Sequence, residues 1–509
     1  MKNKLKNPQF YIVPLMIVYG AIYINRMFMN NPWYDELYTY YSFISKGPVY
    51  AAIHWPLPNN HMGYSTLSGF LSYLGNATIA LRGVSFVCAV ANIYLVYVLA
   101  RKFISERLSY IAVFIYAGVF QVHNMAVQGR GYTLSTTCYI VALLMLYTIC
   151  KGTPKKINYI CYAIALILGI WAVPSSTFWV IPVCFTGGIY LLFNKEYKKL
   201  IKLIAASLAA ALGALMIYFL VWLAIGSNLL SKDPNGVYAG VYQLSIIKEH
   251  PLLAAKTGLD YMLASPYIQS MDRSFVIKDL INYLTILFDQ FYSNMGIVII
   301  VIVAVTFVVA LVRFIKDRTR FLEAYLLIGT LFLPIMLIVQ SVQPYLRVFS
   351  FYGLVLSLSI MMYVKMAVFK AGADNTKICT IVTAILGVFF IGLLFTPKYT
   401  MPMAGRENDI ADVLYAMEDN GIKVDAIDSI YYTDDYQKYV IKFFFDDDPA
   451  EAPLGEASFV LVSDTMLDEN ITAMEWPLLT TYSDFDYDLL YNDYENVAET
   501  DKYIVYRKK

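Results

Sequence analysis

Apolar runs dominate the chain. Eleven of them, near 9–29, 80–100, 108–123, 131–150, 157–174, 176–193, 202–225, 294–312, 321–340, 345–364 and 378–396, match the length needed to cross about 30 Å of hydrocarbon. In that solvent every backbone polar group must be satisfied within its own segment, so each run is expected to be a helix. A chain of soluble domains is excluded, in keeping with 59% hydrophobic and only 15% charged residues. The opening MKNKLKN and the apolar run after it lack an A-x-A cleavage site and read as an uncleaved first span. The six cysteines lie in or beside apolar segments, which points to neither a disulfide framework nor a CxxC metal site.

Charge fixes the orientation. With the N-terminus in the cytoplasm, every inner loop is basic: Lys2, Lys4 and Lys6, then Arg101, Lys102 and Arg107, with similar groups near 151–156, 195–202, 313–320 and 365–377. The short outer loops near 124–130, 173–176 and 341–345 contain one basic residue, Arg130, as the positive-inside bias requires. The same topology places outside the loops 30–79 and 226–293 and the tail after Thr396. Residues 397–509 hold 25 acidic and 9 basic residues. Stretches such as ASFVLVSD and KYIVYRK read as strands, so a small extracytoplasmic α/β domain is expected there, following a membrane domain over 1–396.

Ionisable residues are costly in hydrocarbon, so chemistry is sought where water reaches them. In NPWYDELYTYY, Asp35 and Glu36 open DELYTYYSFISKG, a pattern that predicts one helix lying in the membrane interface, ended at Gly47 and Pro48. An N-cap role for Asp35 and a first-turn role for Glu36 would explain the pair without catalysis. The segment HWPLPNNHMGY places His54, Asn59, Asn60 and His61 in the same loop, in a chain with four histidines. Gln128, Arg130 and Tyr132 stand together at one outer span mouth, and Gln343, Tyr345 and Arg347 at another. An arginine at such a mouth can simply snorkel to headgroups. Two in otherwise cation-poor loops point instead to a phosphate ligand.

These segments, in this order, resemble the GT-C membrane glycosyltransferases, in particular the branch of protein O-mannosyltransferases, aminoarabinose transferases and dolichyl-phosphate-mannose-transferase-like proteins. DELYTYY, NNH before an apolar helix, ALRGVSFVCAVANIYLVYVLARKF, QGRGYTLSTTCYIVALL and RVFSFYGLVLSLSI carry the likeness, over roughly 9–370. The resemblance implies a mainly α, polytopic helix bundle that transfers a sugar from a polyprenyl-phosphate donor to a lipid, glycan or protein acceptor outside the cell membrane. Asp35 matches the family's catalytic carboxylate and would serve as general base in an inverting displacement, with Glu36 supporting it. Arg130, Arg347, His61, Tyr132 and Tyr345 would bind the donor phosphate. Asn60, Gln128 and His54 would contact substrate. Some relatives use a divalent cation, for which Asp35 and His61 are the candidate ligands. Other branches carry a lysine near the position of His61, and this chain has none there. No nucleic-acid partner is expected. Two other readings remain at this stage, a flippase or transporter of lipid-linked sugar and an inactive scaffold of a polysaccharide assembly system. A transporter is expected to carry charge or broken helices near mid-membrane, where this chain has little.

Overall fold

The computed structural model describes residues 8–54, 59–231, 240–264, 270–370, 376–400, 406–423, 427–433, 435–445, 449–463, 485–501 and 503–509. Residues 55–58 of the HWPLPNNH segment, and the aspartate ending ASFVLVSD, lie outside these. The chain divides into two compact units, Met1–Met27 with Phe43–Met401, and Phe28–Ser42 with Pro402–Lys509. The second joins the tail to the residues that follow the first span.

In the first unit all eleven apolar runs are helical. Among the described residues, seven helices are long and apolar enough to cross a membrane: Gln9–Met29, Ala77–Ala100, Tyr132–Lys151, Pro174–Phe193, Tyr197–Ser231, Gly296–Lys316 and Phe321–Gln340. Four shorter apolar helices, Ser109–Gly118, Lys156–Ala172, Tyr352–Val368 and Lys377–Leu393, account for the remaining runs. The protein is thus a multi-pass membrane protein. Its exterior agrees: Leu208, Leu212, Leu215 and Met216 stand exposed on Tyr197–Ser231, a face that lipid can cover and water would penalise. Buried polar side chains between helices are hydrogen-bonded in series. Trp179 Nε1 donates to Ser135 Oγ at 2.9 Å, Ser135 and Ser176 share a bond of 2.7 Å, and Ser176 Oγ donates to the Gly169 carbonyl at 2.6 Å.

Arg26 and Arg82 are charges that the apolar pattern of their spans conceals. Arg26 is buried and donates to the Tyr399 carbonyl at 2.7 Å and to Asn124 Oδ1 at 3.1 Å. Arg82, also buried, donates to the Met27 carbonyl at 2.8 Å. Both guanidiniums reach backbone carbonyls that the adjoining helices leave open, a structural use rather than a conduction path.

The second unit contains a five-stranded mixed sheet in the order β2-β1-β3-β5-β4, with β1 Ser429–Tyr432, β2 Ala450–Glu451, β3 Phe459–Ser463, β4 Tyr494–Glu499 and β5 Tyr503–Lys508. β1 runs parallel to β2 and β3, and the helix Asp435–Phe445 lies between β1 and β2 in the chain, as a parallel crossover requires. The two stretches read as strands from the sequence are β3 and β5, direct antiparallel neighbours paired from Phe459↔Arg507 to Ser463↔Tyr503. The α/β expectation for the tail is met.

The loop after the first span departs from its expected form. Instead of one helix through DELYTYYSFISKG, the chain forms Tyr34–Ser42, a 3-10 turn Ile44–Lys46 and a second helix Pro48–Ile53. The break falls at Phe43, whose φ of −133° and ψ of −58° leave the helical region; Gly47, at a φ of 94° available to glycine at little cost, then separates the turn from the second helix, where the stop was expected. Asp35 is not the N-cap. The helix starts at Tyr34, and the Trp33 carbonyl takes the first bonds, from the amides of Glu36 at 2.9 Å and Leu37 at 3.0 Å.

Candidate functional site

The clearest convergence of polar side chains in the first unit centres on His61, the residue before the helix Met62–Leu71. The chain is held there by fit. A Cβ on Gly131 would sit 2.3 Å from the Ala172 carbonyl oxygen, and one on Gly129 would sit 2.4 Å from Leu81 Cδ1. The two glycines therefore let the QGRGY segment press against its neighbours and place Arg130 between them. Ser85 on Ala77–Ala100 fastens the same segment, its Oγ lying 2.6 Å from the Gln128 carbonyl oxygen and 3.2 Å from that of Arg130.

Around His61 the sequence candidates come together. The Gly131 amide donates to His61 Nδ1 at 2.9 Å, and Arg130 Nη2 lies 3.2 Å from His61 Nε2. The Tyr132 ring meets the imidazole edge-on, with centroids 5.0 Å apart. Arg347 Nε donates to Tyr132 Oη at 3.3 Å, and its guanidinium carbon lies 4.4 Å from the Tyr345 ring centre, a cation–π contact. The cluster grades from inside to outside, from Arg130 at 3% exposure to Tyr345 at 57%.

A neutral imidazole has one lone pair for hydrogen bonding. Here two N–H donors face its two nitrogens. With Nδ1 occupied by Gly131, the ring proton sits on Nε2 and confronts the Arg130 guanidinium, donor against donor. An oxyanion accepting from both would relieve that opposition. Burial, reinforced by Arg130 and then Arg347, holds the His61 pKa well below the usual histidine range. It therefore stays neutral at pH 7 and presents an N–H rather than a second full charge. The same arrangement does not fit a metal at His61, because its free lone pair is taken and a cation would meet a guanidinium. Among the described residues no group of three or more His, Cys, Asp or Glu side chains is placed to hold a metal ion.

This titration has a consequence for stability. The unfolded chain protonates His61 near 6.5 and the folded chain well below it, so the unfolded state binds more protons in between and stability falls as pH drops through that window. His54 acts in the same direction, its pKa lowered to about 4 by burial, opposed by its bond to the Tyr50 carbonyl. We expect His61→Asn to flatten part of the loss of thermal stability between pH 7 and pH 5; an unfolding midpoint as pH-dependent as that of the wild type would contradict a buried neutral His61.

The other candidates separate. Asn60 Nδ2 donates to the carbonyls of Ala51 at 2.9 Å and of His54, stapling the loop. His54 stacks on Tyr50 with centroids 3.4 Å apart and bonds to the Tyr50 carbonyl at 2.9 Å. Both side chains thus have local structural roles. It is Asn59, one residue earlier, whose Oδ1 receives Arg130 Nη1 at 2.5 Å. Gln128 is buried and contributes its carbonyl to Ser85. Ser85 carried no signal in the sequence, being one hydroxyl within an apolar helix.

Asp35 and Glu36 belong to the second unit. Glu36 is buried, and its Oε2 accepts from the Trp33 amide at 3.3 Å, which makes it the reciprocal half of a capping arrangement. Asp35 is only partly buried, and its backbone carbonyl accepts from Thr39 Oγ1 at 2.6 Å. The two acids, alike in sequence, have distinct surroundings.

Residues 61–222 match the family model described as dolichyl-phosphate-mannose-protein mannosyltransferase, about a third of the chain and the part that contains His61, Arg130 and Tyr132. The apo oligosaccharyltransferase of Archaeoglobus fulgidus shares the fold, with a TM-score of 0.50 at 12% identity over 89% of this chain and 70% of that one. The Archaeoglobus fulgidus oligosaccharyltransferase AglB, solved with an inhibitory peptide and a dolichol-phosphate, aligns at a TM-score of 0.48 and 13% identity over 87% of this chain. The chain spans 65% of the length of that protein. ArnT from Cupriavidus metallidurans in the apo state aligns at 0.41 and 12% identity, over 97% of each chain. No curated protein matches the sequence. The family match and the shared fold bear out the resemblance to the GT-C membrane glycosyltransferases.

Proposed function

Taking a mannosyltransferase-type segment within a GT-C fold as premise, we propose that this multi-pass membrane protein is a glycosyltransferase using a polyprenyl-phosphate sugar as donor, with an acceptor hydroxyl on the outer face of the membrane. The observation that carries the reading is the convergence of Arg130, Arg347 and Tyr132 on a buried, neutral His61. The helix Tyr132–Lys151 starts immediately after Arg130 and Gly131, and its N-terminal dipole favours an anion there. A phosphate oxygen accepting from Arg130 and from His61 Nε2–H satisfies two opposed donors at once.

In the proposed reaction the acceptor oxygen attacks the anomeric carbon as the bond from that carbon to the phosphate oxygen breaks. The acceptor proton passes to Asp35, and the electron pair stays on the polyprenyl phosphate. A single displacement of this kind inverts the anomeric centre. Arg130 and Arg347 lower the barrier by stabilising the charge that grows on the leaving phosphate. Outer-face action is supported by the basic inner loops, because nucleotide sugars are cytosolic and lipid-linked ones are presented outside.

The test is incubation of the purified full-length protein with a panel of polyprenyl-phosphate sugars and with candidate lipid, glycan and peptide acceptors. We expect one donor to be consumed with release of polyprenyl phosphate, and nucleotide sugars to be left untouched. Release from none of them, with lipid-linked sugar instead moved across vesicles, would replace the transferase by a flippase.

A further inference from the structure

The helix Tyr34–Ser42 has nine residues, below the roughly 12–15 at which an isolated helix becomes even marginally stable in water. Its order must come from packing. Tyr34, Leu37, Tyr38 and Tyr41 fall at i, i+3, i+4 and i+7, one stripe of a helix, and the stripe is packed against the tail. Leu37 is fully buried in a cluster with Ile410, Leu414, Val440 and Ile441. Tyr439, from the helix Asp435–Phe445, meets the three tyrosines of the stripe. Its ring is stacked on Tyr41 at 5.4 Å and 9°, and lies 6.2 Å from Tyr34 and 6.3 Å from Tyr38. Lys442, nearly one turn further along, places its ammonium 5.5 Å from the Tyr41 ring centre.

We propose that Tyr439 is a positioning residue for catalysis: by inserting one ring along the Tyr34–Tyr38–Tyr41 stripe, the C-terminal domain sets the rotation of the short helix that carries Asp35. Asp35 follows Tyr34 by one residue, about 100° round the helix, so a rolled helix swings its carboxylate while leaving the fold of either unit intact. The tail is then a working part of the enzyme rather than a soluble appendage. Offset-stacked aromatic pairs contribute beyond the area they bury, and the near-coplanar contact of the Tyr439 and Tyr41 rings is of that kind.

This rests on the reading of Asp35 as the base. The experiment measures kcat, donor KM and thermal unfolding of the full-length protein for Tyr439→Ala, Tyr439→Phe, Tyr41→Ala, the Tyr41/Tyr439 double alanine variant and Asp35→Asn. Misplacing a catalytic group by about 1 Å costs roughly 10²-fold, so Tyr439→Ala is expected to lower kcat between tenfold and about 10²-fold with donor KM within twofold of the wild type. Tyr439→Phe restores the rate, and the double variant is no slower than either single one. Wild-type kcat in Tyr439→Ala, or an equal loss of kcat and donor affinity, overturns the positioning role. If Tyr439→Ala does not fold, wild-type kcat in Tyr41→Ala, or a tenfold loss of kcat in Tyr439→Phe, overturns it instead. An active Asp35→Asn variant would overturn the base assignment; a dead Asp35→Asn beside a fully active Tyr439→Ala would remove only Tyr439.

Discussion

Asp35→Asn is expected to reduce transfer by about 10² to 10⁴-fold, the range that general-base assistance supplies, while the protein inserts, folds and binds donor as the wild type does. The substitution keeps the shape of the side chain and removes its basicity. Asp35 is in the first turn of its helix, where a negative charge contributes only about 0.3–1 kcal/mol through the dipole, so its loss leaves the fold standing. Glu36→Gln provides the contrast. Glu36 is buried and turned back to the Trp33 amide, a bond that a glutamine oxygen also accepts, so its rate is expected to stay within a few-fold of the wild type. The pair of measurements separates base from cap. Wild-type turnover in Asp35→Asn, or a larger loss in Glu36→Gln, would reverse the assignment.

Hydropathy alone made the membrane unit legible, because one physical demand, internal satisfaction of the backbone in hydrocarbon, acts along whole segments. The tail was legible for a related reason: ASFVLVSD and KYIVYRK hold short runs of β-branched and aromatic residues, and they pair with each other in the structure. What hydropathy averages away is the isolated charge. Arg26 and Arg82 sit inside apolar windows, and only three-dimensional proximity to the carbonyls of Tyr399 and Met27 accounts for them. The fate of the loop after the first span was equally hidden. Its tyrosine stripe has the pattern of an interfacial helix, and the same pattern serves for packing on another domain; the partner, Tyr439, is about 400 residues away in sequence.

Within the site, residue type was a better guide than exact position. The NNH segment does supply a side-chain acceptor to Arg130, but Asn59 provides it while Asn60 faces the loop backbone. Adjacent residues in an irregular segment point in different directions, and no periodicity reveals which one turns inward. Gly129 and Gly131 flank Arg130 where neighbouring groups leave no room for a Cβ, so their spacing in QGRGY records a steric requirement that the sequence displayed without explaining.

Removing either Arg130 or Arg347 is expected to act on the donor phosphate and to spare proton transfer. Loss of one donor to a developing oxyanion costs about 3 kcal/mol, roughly 10²-fold in rate. Arg347→Ala is the cleaner variant, since it gives up one bond to Tyr132 and a stacked contact with Tyr345 at the exposed end of the cluster. Arg130 is buried and holds Asn59 beside His61, so alanine there also leaves polar groups unpaired. Arg130→Lys is the informative change, retaining charge while losing the two-pronged geometry. Inhibition by polyprenyl phosphate without its sugar isolates this function, because that ligand has the phosphate and no reacting carbon. Its inhibition constant should rise about 10-fold or more in Arg130→Lys and Arg347→Ala and stay at the wild-type value in Asp35→Asn. Unchanged inhibition in the arginine variants would detach both guanidiniums from the donor. A rise in Asp35→Asn to match theirs would show that the carboxylate acts on phosphate binding rather than on the acceptor proton.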